Sequence, residues 1–388
     1  MKLAVVGAGT AGSQTILHLA KHFPTCEIEW YFDPNIPTQS VGEGAPLSLP
    51  RNLSENLGFN YFKDLYEVDG TLKTGILKEN WGKKVQKYFH PFPSPNASMH
   101  FNAKKLQNFI FERVKDKVKI YEKNVKYENI DADYTVICSG SPKTFEEYNK
   151  AEYIPVNSVF ITQCYWEQPR FDYTLTIARP YGWVFGIPLQ NRCSIGYLFN
   201  NTINTLDEVK EDVKQVFLDY NLTPSEDINH FSFKNYYKKI NFTDRVCYNG
   251  NASFFLEPLE ATSTEVMDTI QRSVYDILER NLTPNDANII YTNEIEQIQN
   301  MILMHYFAGS TFDTDFWKYA EELGKKCVER KMSQDPKFVE MYFDMLKRKD
   351  VSQCFGYNEE YGTWWIGSFL VNIESLGLRE KLNKQIFK

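Results

Sequence analysis

The sequence predicts an α/β protein whose core is a Rossmann-like parallel sheet, and three observations carry that expectation. The apolar run Leu3-Ala4-Val5-Val6 leads into Gly7-Ala8-Gly9-Thr10-Ala11-Gly12, a complete G-x-G-x-x-G, and a helix follows over Ser13 to His22. A second apolar strand, Cys26 to Phe32, ends in Asp33, at the distance where a ribose-binding acid belongs. Farther along, Asp131-Ala132-Asp133-Tyr134-Thr135-Val136-Ile137-Cys138-Ser139-Gly140 has the pattern of a buried strand closing in a small-residue turn, suited to lie beside the first.

Each part of the fingerprint has a physical reason. Backbone N–H groups at the start of the helix suit a pyrophosphate. Gly7 makes the tight turn, Gly9 lets the phosphate approach the backbone, and Gly12 lets helix pack on strand, with Thr10 and Ala11 completing the loop. A bound dinucleotide is expected, and the motif alone does not say which.

Composition narrows the partners. A chain of 388 residues can bury a large core, so most of its 28 Phe, 24 Tyr and 7 Trp are expected inside it. The net charge of −7 argues against nucleic acid, which calls for clustered Lys and Arg. Seven cysteines form no C-x-x-C pair, and an odd number cannot all pair within one chain, so reduced thiols and a cytoplasmic location are expected. The first strand starts at Lys2, leaving no room for a signal peptide, and no 18-residue apolar run is present to enter a membrane. His18 and His22 share a helix face without the Glu of H-E-x-x-H; the expectation is surface or helix-end histidines and no metal.

Taken in order, Pro34 to Ala45 is a Gly- and Pro-dense loop containing Val41-Gly42-Glu43, and Leu49 to Leu57 is helical. Thr71 to Trp81 alternates as a half-buried strand, which leaves Lys73 pointing either to solvent or into a cleft. His90-Pro91-Phe92 falls in a loop punctuated by Pro93 and Pro95. A helix is expected from Ala103 to Val114 and short strands around Val118 to Tyr127. Residues 151–245 alternate β-like runs with turns and predict a mixed or antiparallel sheet, including Gly182-Trp183-Val184-Phe185-Gly186-Ile187-Pro188-Leu189. Then come Arg245 to Asn251, Leu256-Glu257-Pro258-Leu259-Glu260-Ala261-Thr262-Ser263, a helix over Glu265 to Asn281, and a helical end from Trp317 to Lys349.

These residues together resemble the flavin-dependent halogenases, in particular the tryptophan halogenase group, with this chain a shortened member. The resemblance rests on the fingerprint, Val41-Gly42-Glu43, Lys73 eight residues before the Trp of Asn80-Trp81, His90-Pro91-Phe92, Gly182 to Pro188, and Pro258-Leu259-Glu260. It implies an FAD-binding fold of the monooxygenase and halogenase type, with an inserted mixed β-sheet module on the substrate side and a C-terminal helical region. The expected boundaries are 1–82, 100–150 and 245–290 for the FAD module, 83–99 and 151–244 for the substrate-side sheet, and 291–388 for the helical region. His305, in Met304-His305-Tyr306, is expected to be structural.

The same resemblance assigns roles. Lys73 and Glu260 are the catalytic pair, Asp33, Val41, Glu43 and Asn251 join the fingerprint in holding FAD, and Thr262 and Ser263 hold the halide. His90, Phe92, Trp183 and Phe185 flank a small aromatic substrate. Phe185 stands where the family has Trp, Asn251 where it has Asp, Ala261 where it has Ser and Ser263 where it has Gly. FAD would be supplied reduced by a separate flavin reductase, because the chain carries one dinucleotide fingerprint, and a homo-oligomer is compatible with this pattern. In the implied reaction Lys73 holds hypohalous acid or forms a haloamine, and Glu260 stabilises the cationic ring and accepts its proton. Two alternatives use the same fold: a flavin monooxygenase that hydroxylates an aromatic, and an FAD-binding protein without catalysis.

Overall fold

The computed structural model describes residues 1–37, 43–93, 96–334, 360–361 and 364–386. Contacts divide the chain into two units. The first comprises Met1–Thr71, Ser98–Lys150 and Asn235–Ile295. Its centre is a five-stranded parallel sheet in the order Val246–Tyr248, Tyr134–Ile137, Lys2–Val6, Glu27–Phe32, Lys119–Glu122. Leu3 is paired with Ile28 on one side and Tyr134 on the other, so the strand expected beside the first lies there. Central parallel strands are covered on both faces, which is why Leu3 to Val6 is a continuous apolar run instead of an alternating one.

Helices flank this sheet in the first unit. The fingerprint helix spans Thr10–His22, and further helices span Ser48–Leu57, Ala103–Val114 and Ser263–Glu279. Asn102 starts the third by accepting from Lys104 N and Lys105 N, both at 3.1 Å. His18 departs from the expected surface position. It is buried, with its ring 4.4 Å from that of His22 and 6.5 Å from that of Tyr275. A small sheet of Tyr148–Lys150, Tyr236–Lys238 and Phe254–Phe255 completes the unit, and no periodicity in those two- and three-residue strands announced it.

The second unit comprises Leu72–Ala97, Ala151–Lys234 and Glu296–Lys388. It contains a seven-stranded mixed sheet in the order Pro224–Ser232, Ser158–Tyr165, Arg192–Phe199, Gly182–Pro188, Thr174–Arg179, Gly75–Glu79, Lys87–Pro91. Only Thr174–Arg179 against Gly75–Glu79 is parallel. The segment expected to be all β also contains a helix, Leu206–Asp219, whose Thr205/Glu208 capping box was the legible signal. Its Val209, Val213 and Val216 are buried against Ile195, Tyr197 and Phe199 of the sheet. Each such side chain contributes about 1.5–3 kcal/mol by leaving water.

Two more expectations change here. His90 and Pro91 lie on the strand Lys87–Pro91, antiparallel to Gly75–Glu79, and not in a proline-rich connection. Gly75 permits this pairing, because a Cβ there would sit 2.4 Å from the His90 carbonyl oxygen. The helical end spans Asp315–Gln334 as far as the described residues reach. No helix among them is long and apolar enough to cross a membrane.

Candidate active site

In the first unit the fingerprint separates into two kinds of glycine. At Gly7, with φ of 108°, a Cβ would lie 2.2 Å from the Cys138 carbonyl oxygen, and at Gly12 it would lie 2.1 Å from the Gly7 carbonyl oxygen. Neither position can take a side chain. At Gly9 a Cβ would meet nothing within 4 Å, so glycine there leaves open space over the start of the helix. Gly9 caps that helix with no side-chain hydrogen bond, leaving its first amides for a ligand. The turn is pinned from behind by Trp30 Nε1, which donates to the Gly7 carbonyl at 2.8 Å.

The other residues expected to hold FAD are placed as follows. Asp33 is half-buried, and its Oδ1 accepts from Asn35 N at 2.9 Å and Asn35 Nδ2 at 3.0 Å, closing a turn on itself. Val41 lies outside the described residues. Glu43 is buried, and its Oε1 accepts from Ala103 N at 3.4 Å while its carbonyl accepts from Phe101 N at 2.8 Å. Its carboxylate thus sits at the start of the Ala103–Val114 helix, where negative charge is favoured. Asn251 lies in the short 3₁₀ turn Gly250–Ala252, and its carbonyl accepts from Tyr236 Oη at 2.7 Å.

Glu260, Thr262 and Ser263 share one turn of this unit. Glu260 and Ala261 both adopt left-handed backbone, with φ of 67° and 56°. Ala261 N donates to the Pro258 carbonyl at 2.9 Å, and Thr262 caps the helix Ser263–Glu279. Thr262 is buried and makes no side-chain cap bond, its carbonyl instead accepting from Glu265 N at 3.1 Å in the helix's first turn. On the same helix, burial pushes the Glu265 carboxyl up, with the Ser48 hydroxyl opposing. Burial also pushes Glu294 up to about 7, opposed by the Thr269 hydroxyl and Arg272 and reinforced by Glu265 and Asp268. His18 goes the other way, pushed down to about 3 by burial with His22 and Arg272 adding to it.

In the second unit Lys73 is 1% exposed while the neighbouring Leu72 is 41% exposed, which settles the open question of which way the lysine points. Its strand, Thr71–Lys73, breaks at Thr74, whose N donates to the Asp172 carbonyl at 2.8 Å. Phe92 N donates to the Thr74 carbonyl at 3.0 Å, and this bond brings Phe92 beside the lysine, with Lys73 Nζ 5.5 Å from the ring centroid. His90, paired with Ile76, is 4% exposed. Trp183 and Phe185 are both buried on the strand Gly182–Pro188. Trp183 packs 6.2 Å from Trp81, and Phe185 lies over Gly196, where a Cβ would come within 2.1 Å of its ring.

Residues 2–125 and 111–345 match the tryptophan halogenase family. The chain belongs to that family. A relative, tryptophan 7-halogenase RebH of Lentzea aerocolonigenes, is 23% identical over 483 positions that take in 97% of this chain and 89% of the relative. The fold is shared with Xcc4156, a flavin-dependent halogenase from Xanthomonas campestris, with a TM-score of 0.79 at 17% identity over 99% of this chain and 95% of that one. BrvH, a flavin-dependent halogenase from Brevundimonas sp. BAL3, gives a TM-score of 0.76 at 18% identity over 97% of this chain and 89% of that one. The alignment with RebH needs 483 positions for a chain of 388 residues, so that halogenase carries internal segments this family member lacks.

Sequence reasoning missed what supports the strand leading to the family's Asn-Trp pair. Lys78 is fully buried there, and its Nζ donates to His305 Nε2 at 2.6 Å and Asn372 Oδ1 at 2.8 Å. With Nε2 accepting, His305 Nδ1 carries the proton and donates to the Met301 carbonyl at 3.1 Å. Tyr88 Oη donates to the same Asn372 oxygen at 2.9 Å. His305 therefore has the structural place expected for it. The available signal was a lysine directly after the apolar run Gly75 to Leu77, on the same alternating face as Ile76.

Proposed function

We propose that this chain halogenates an indole or another electron-rich aromatic, using reduced FAD, dioxygen and a halide. The observation that carries the reading is the burial of Lys73 beside Phe92, at family spacing from Asn80-Trp81, in a chain of the tryptophan halogenase family. A solvated lysine would have carried no such argument. The residues present fit FAD: space above Gly9 and an uncapped helix start suit a pyrophosphate, and Gly7 and Gly12 hold that turn. When bound in reduced form, FAD supplies, with dioxygen, the two-electron oxidation that turns halide into hypohalous acid.

In this reading the fingerprint amides hold the pyrophosphate, Asp33 the ribose and Asn251 the ribityl chain, with Val41 and Glu43 in the strapping loop. The backbone amides of Thr262 and Ser263 hold the halide. Lys73 Nζ retains hypohalous acid by hydrogen bonding or as a haloamine, so that the oxidant does not diffuse away. His90, Phe92, Trp183 and Phe185 present flat faces to the aromatic ring. The ring gains halogen and its displaced proton passes to Glu260, which returns it to the hydroxyl left by the hypohalous acid, so that water leaves. Reduced FAD comes from a separate flavin reductase, since one dinucleotide fingerprint is present in the sequence.

The test is the purified chain with a flavin reductase, chloride, bromide or iodide, and a panel of indoles and phenols, read by product mass. Halogen-dependent mass gain is expected, and Lys73→Ala is expected to abolish it while reduced FAD is still oxidised at the normal rate. A mass gain of one oxygen that ignores halide would make the chain a monooxygenase instead. Bound FAD with no product under any halide would leave it a binding protein.

A further inference from the structure

Among the described residues, six other than glycine have left-handed backbone. Four are Asp69, Asn80, Asn221 and Asn281, with φ between 50° and 61°, the residue types whose short polar side chains make this conformation accessible. The remaining two are Glu260 and Ala261, which have no such ease, and they are adjacent. Glycine would take either position without strain. The chain instead places two strained residues in succession.

The surroundings explain how the strain is held. Pro258 precedes the pair with φ of −80°, Leu259 is buried, and Ala261 N closes the turn onto the Pro258 carbonyl at 2.9 Å. After the pair, the Thr262 carbonyl accepts from Glu265 N at 3.1 Å and Val266 N at 3.2 Å, which begins a 17-residue helix. A turn clamped at both ends has few other paths, so the strain cannot relax by moving either flank. Alanine at 261 costs stability that glycine would not, and what it excludes is the wider set of conformations glycine would allow.

We infer that Ala261 is a positioning residue for Glu260, its left-handed backbone holding the turn that presents the carboxylate in a single conformation. The inference rests on the proposed function, in which Glu260 takes the ring proton. Ala261 itself acts through the backbone and touches no reacting atom.

Two variants test this, each measured for thermal midpoint without ligand, for oxidation of reduced FAD, and for kcat and KM on an aromatic the wild type halogenates. Ala261→Gly is expected to raise the midpoint by about 1–2 °C while lowering kcat about tenfold, with KM and flavin oxidation unchanged. Ala261→Asn accepts left-handed backbone yet lacks glycine's freedom, so its kcat stays within about twofold of wild type. An unchanged kcat or a lowered midpoint in Ala261→Gly overturns the inference, as does an equal loss in both variants. A wild type that halogenates no aromatic removes the proposed activity and this role together; one that halogenates while Ala261→Gly matches it removes this role alone.

Discussion

Two turns of the first unit open helices, and they are built in opposite ways. Gly7 to Gly12 uses glycine wherever the backbone demands it: Gly7 for a φ of 108°, Gly12 for close packing, Gly9 for open space. The turn from Pro258 to Ser263 contains no glycine, yet bends through left-handed Glu260 and Ala261. In the first turn residue identity satisfies the geometry and the motif is legible at once. In the second the geometry is imposed by the proline, the buried Leu259 and the helix that follows, and the residue identities give no hint of it.

The largest effect should come from the glycine turn. Gly12→Val would drive a side chain into the Gly7 carbonyl, 2.1 Å from where its Cβ must sit, and should leave little soluble folded protein, a loss above about 4 kcal/mol. Urea denaturation that still gives a cooperative transition near the wild-type midpoint would break the contrast. At the other turn the effect should be on chemistry: Glu260→Gln is expected to slow halogenation by about 10²–10⁴-fold with flavin oxidation and thermal midpoint unchanged. Loss of FAD affinity in that variant would make Glu260 structural.

Two groups of the first unit, the buried His18 and the half-buried Glu294, should shape stability with pH. His18 has its imidazole pushed down to about 3 from 6.5, so between those values the unfolded chain binds the extra proton and stability falls as pH falls. Glu294 is pushed up to about 7 from 4.5, so there the folded chain binds the extra proton and stability falls as pH rises, levelling off above 7. Both act through neighbours shared with Arg272. From about pH 4.5 to 6.5 the two slopes oppose each other, so denaturation should give a nearly flat profile there, whereas His18→Leu should expose a fall in stability as pH rises and Glu294→Gln a fall as pH drops, each by about 1–3 kcal/mol. Profiles as flat in the variants as in the wild type would assign the dependence to other groups.

The smallest expected effect is Gly9→Val, which sharpens the division within the fingerprint. Because a Cβ at Gly9 meets nothing, the chain should fold with a thermal midpoint near wild type. FAD affinity should still fall at least about tenfold, or ~1.4 kcal/mol, since the side chain occupies the approach to the helix amides. Calorimetric titration with FAD reads this directly, and retained affinity would move the cofactor elsewhere.

Legibility followed the range of the interactions. The parallel strands, the fingerprint helix and Ala103–Val114 were readable because their apolar runs and caps lie within a few residues of each other. The capping box of Leu206–Asp219 was equally local and was passed over among the β-like runs around it. His90 was misjudged because the prolines after it suggest a loop, while its actual state depends on pairing with Ile76 fourteen positions earlier. The inward turn of Lys73 could not be decided locally, since alternation specifies two faces and says nothing of which is covered.

By itself the sequence determined that this is an α/β protein built on a dinucleotide fingerprint, and that its motifs have the spacing of the tryptophan halogenase family. Those properties depend on residue identity at short separation, where steric demand and periodicity act directly. Only the tertiary structure decided that Lys73 and Lys78 are both buried, that the latter is held by His305 and Asn372, and that Glu260 sits in a strained turn. The physical reason is that burial and strain belong to a residue's surroundings. Those surroundings come from segments as distant in sequence as Lys78 and Asn372, brought together by packing that no local pattern encodes.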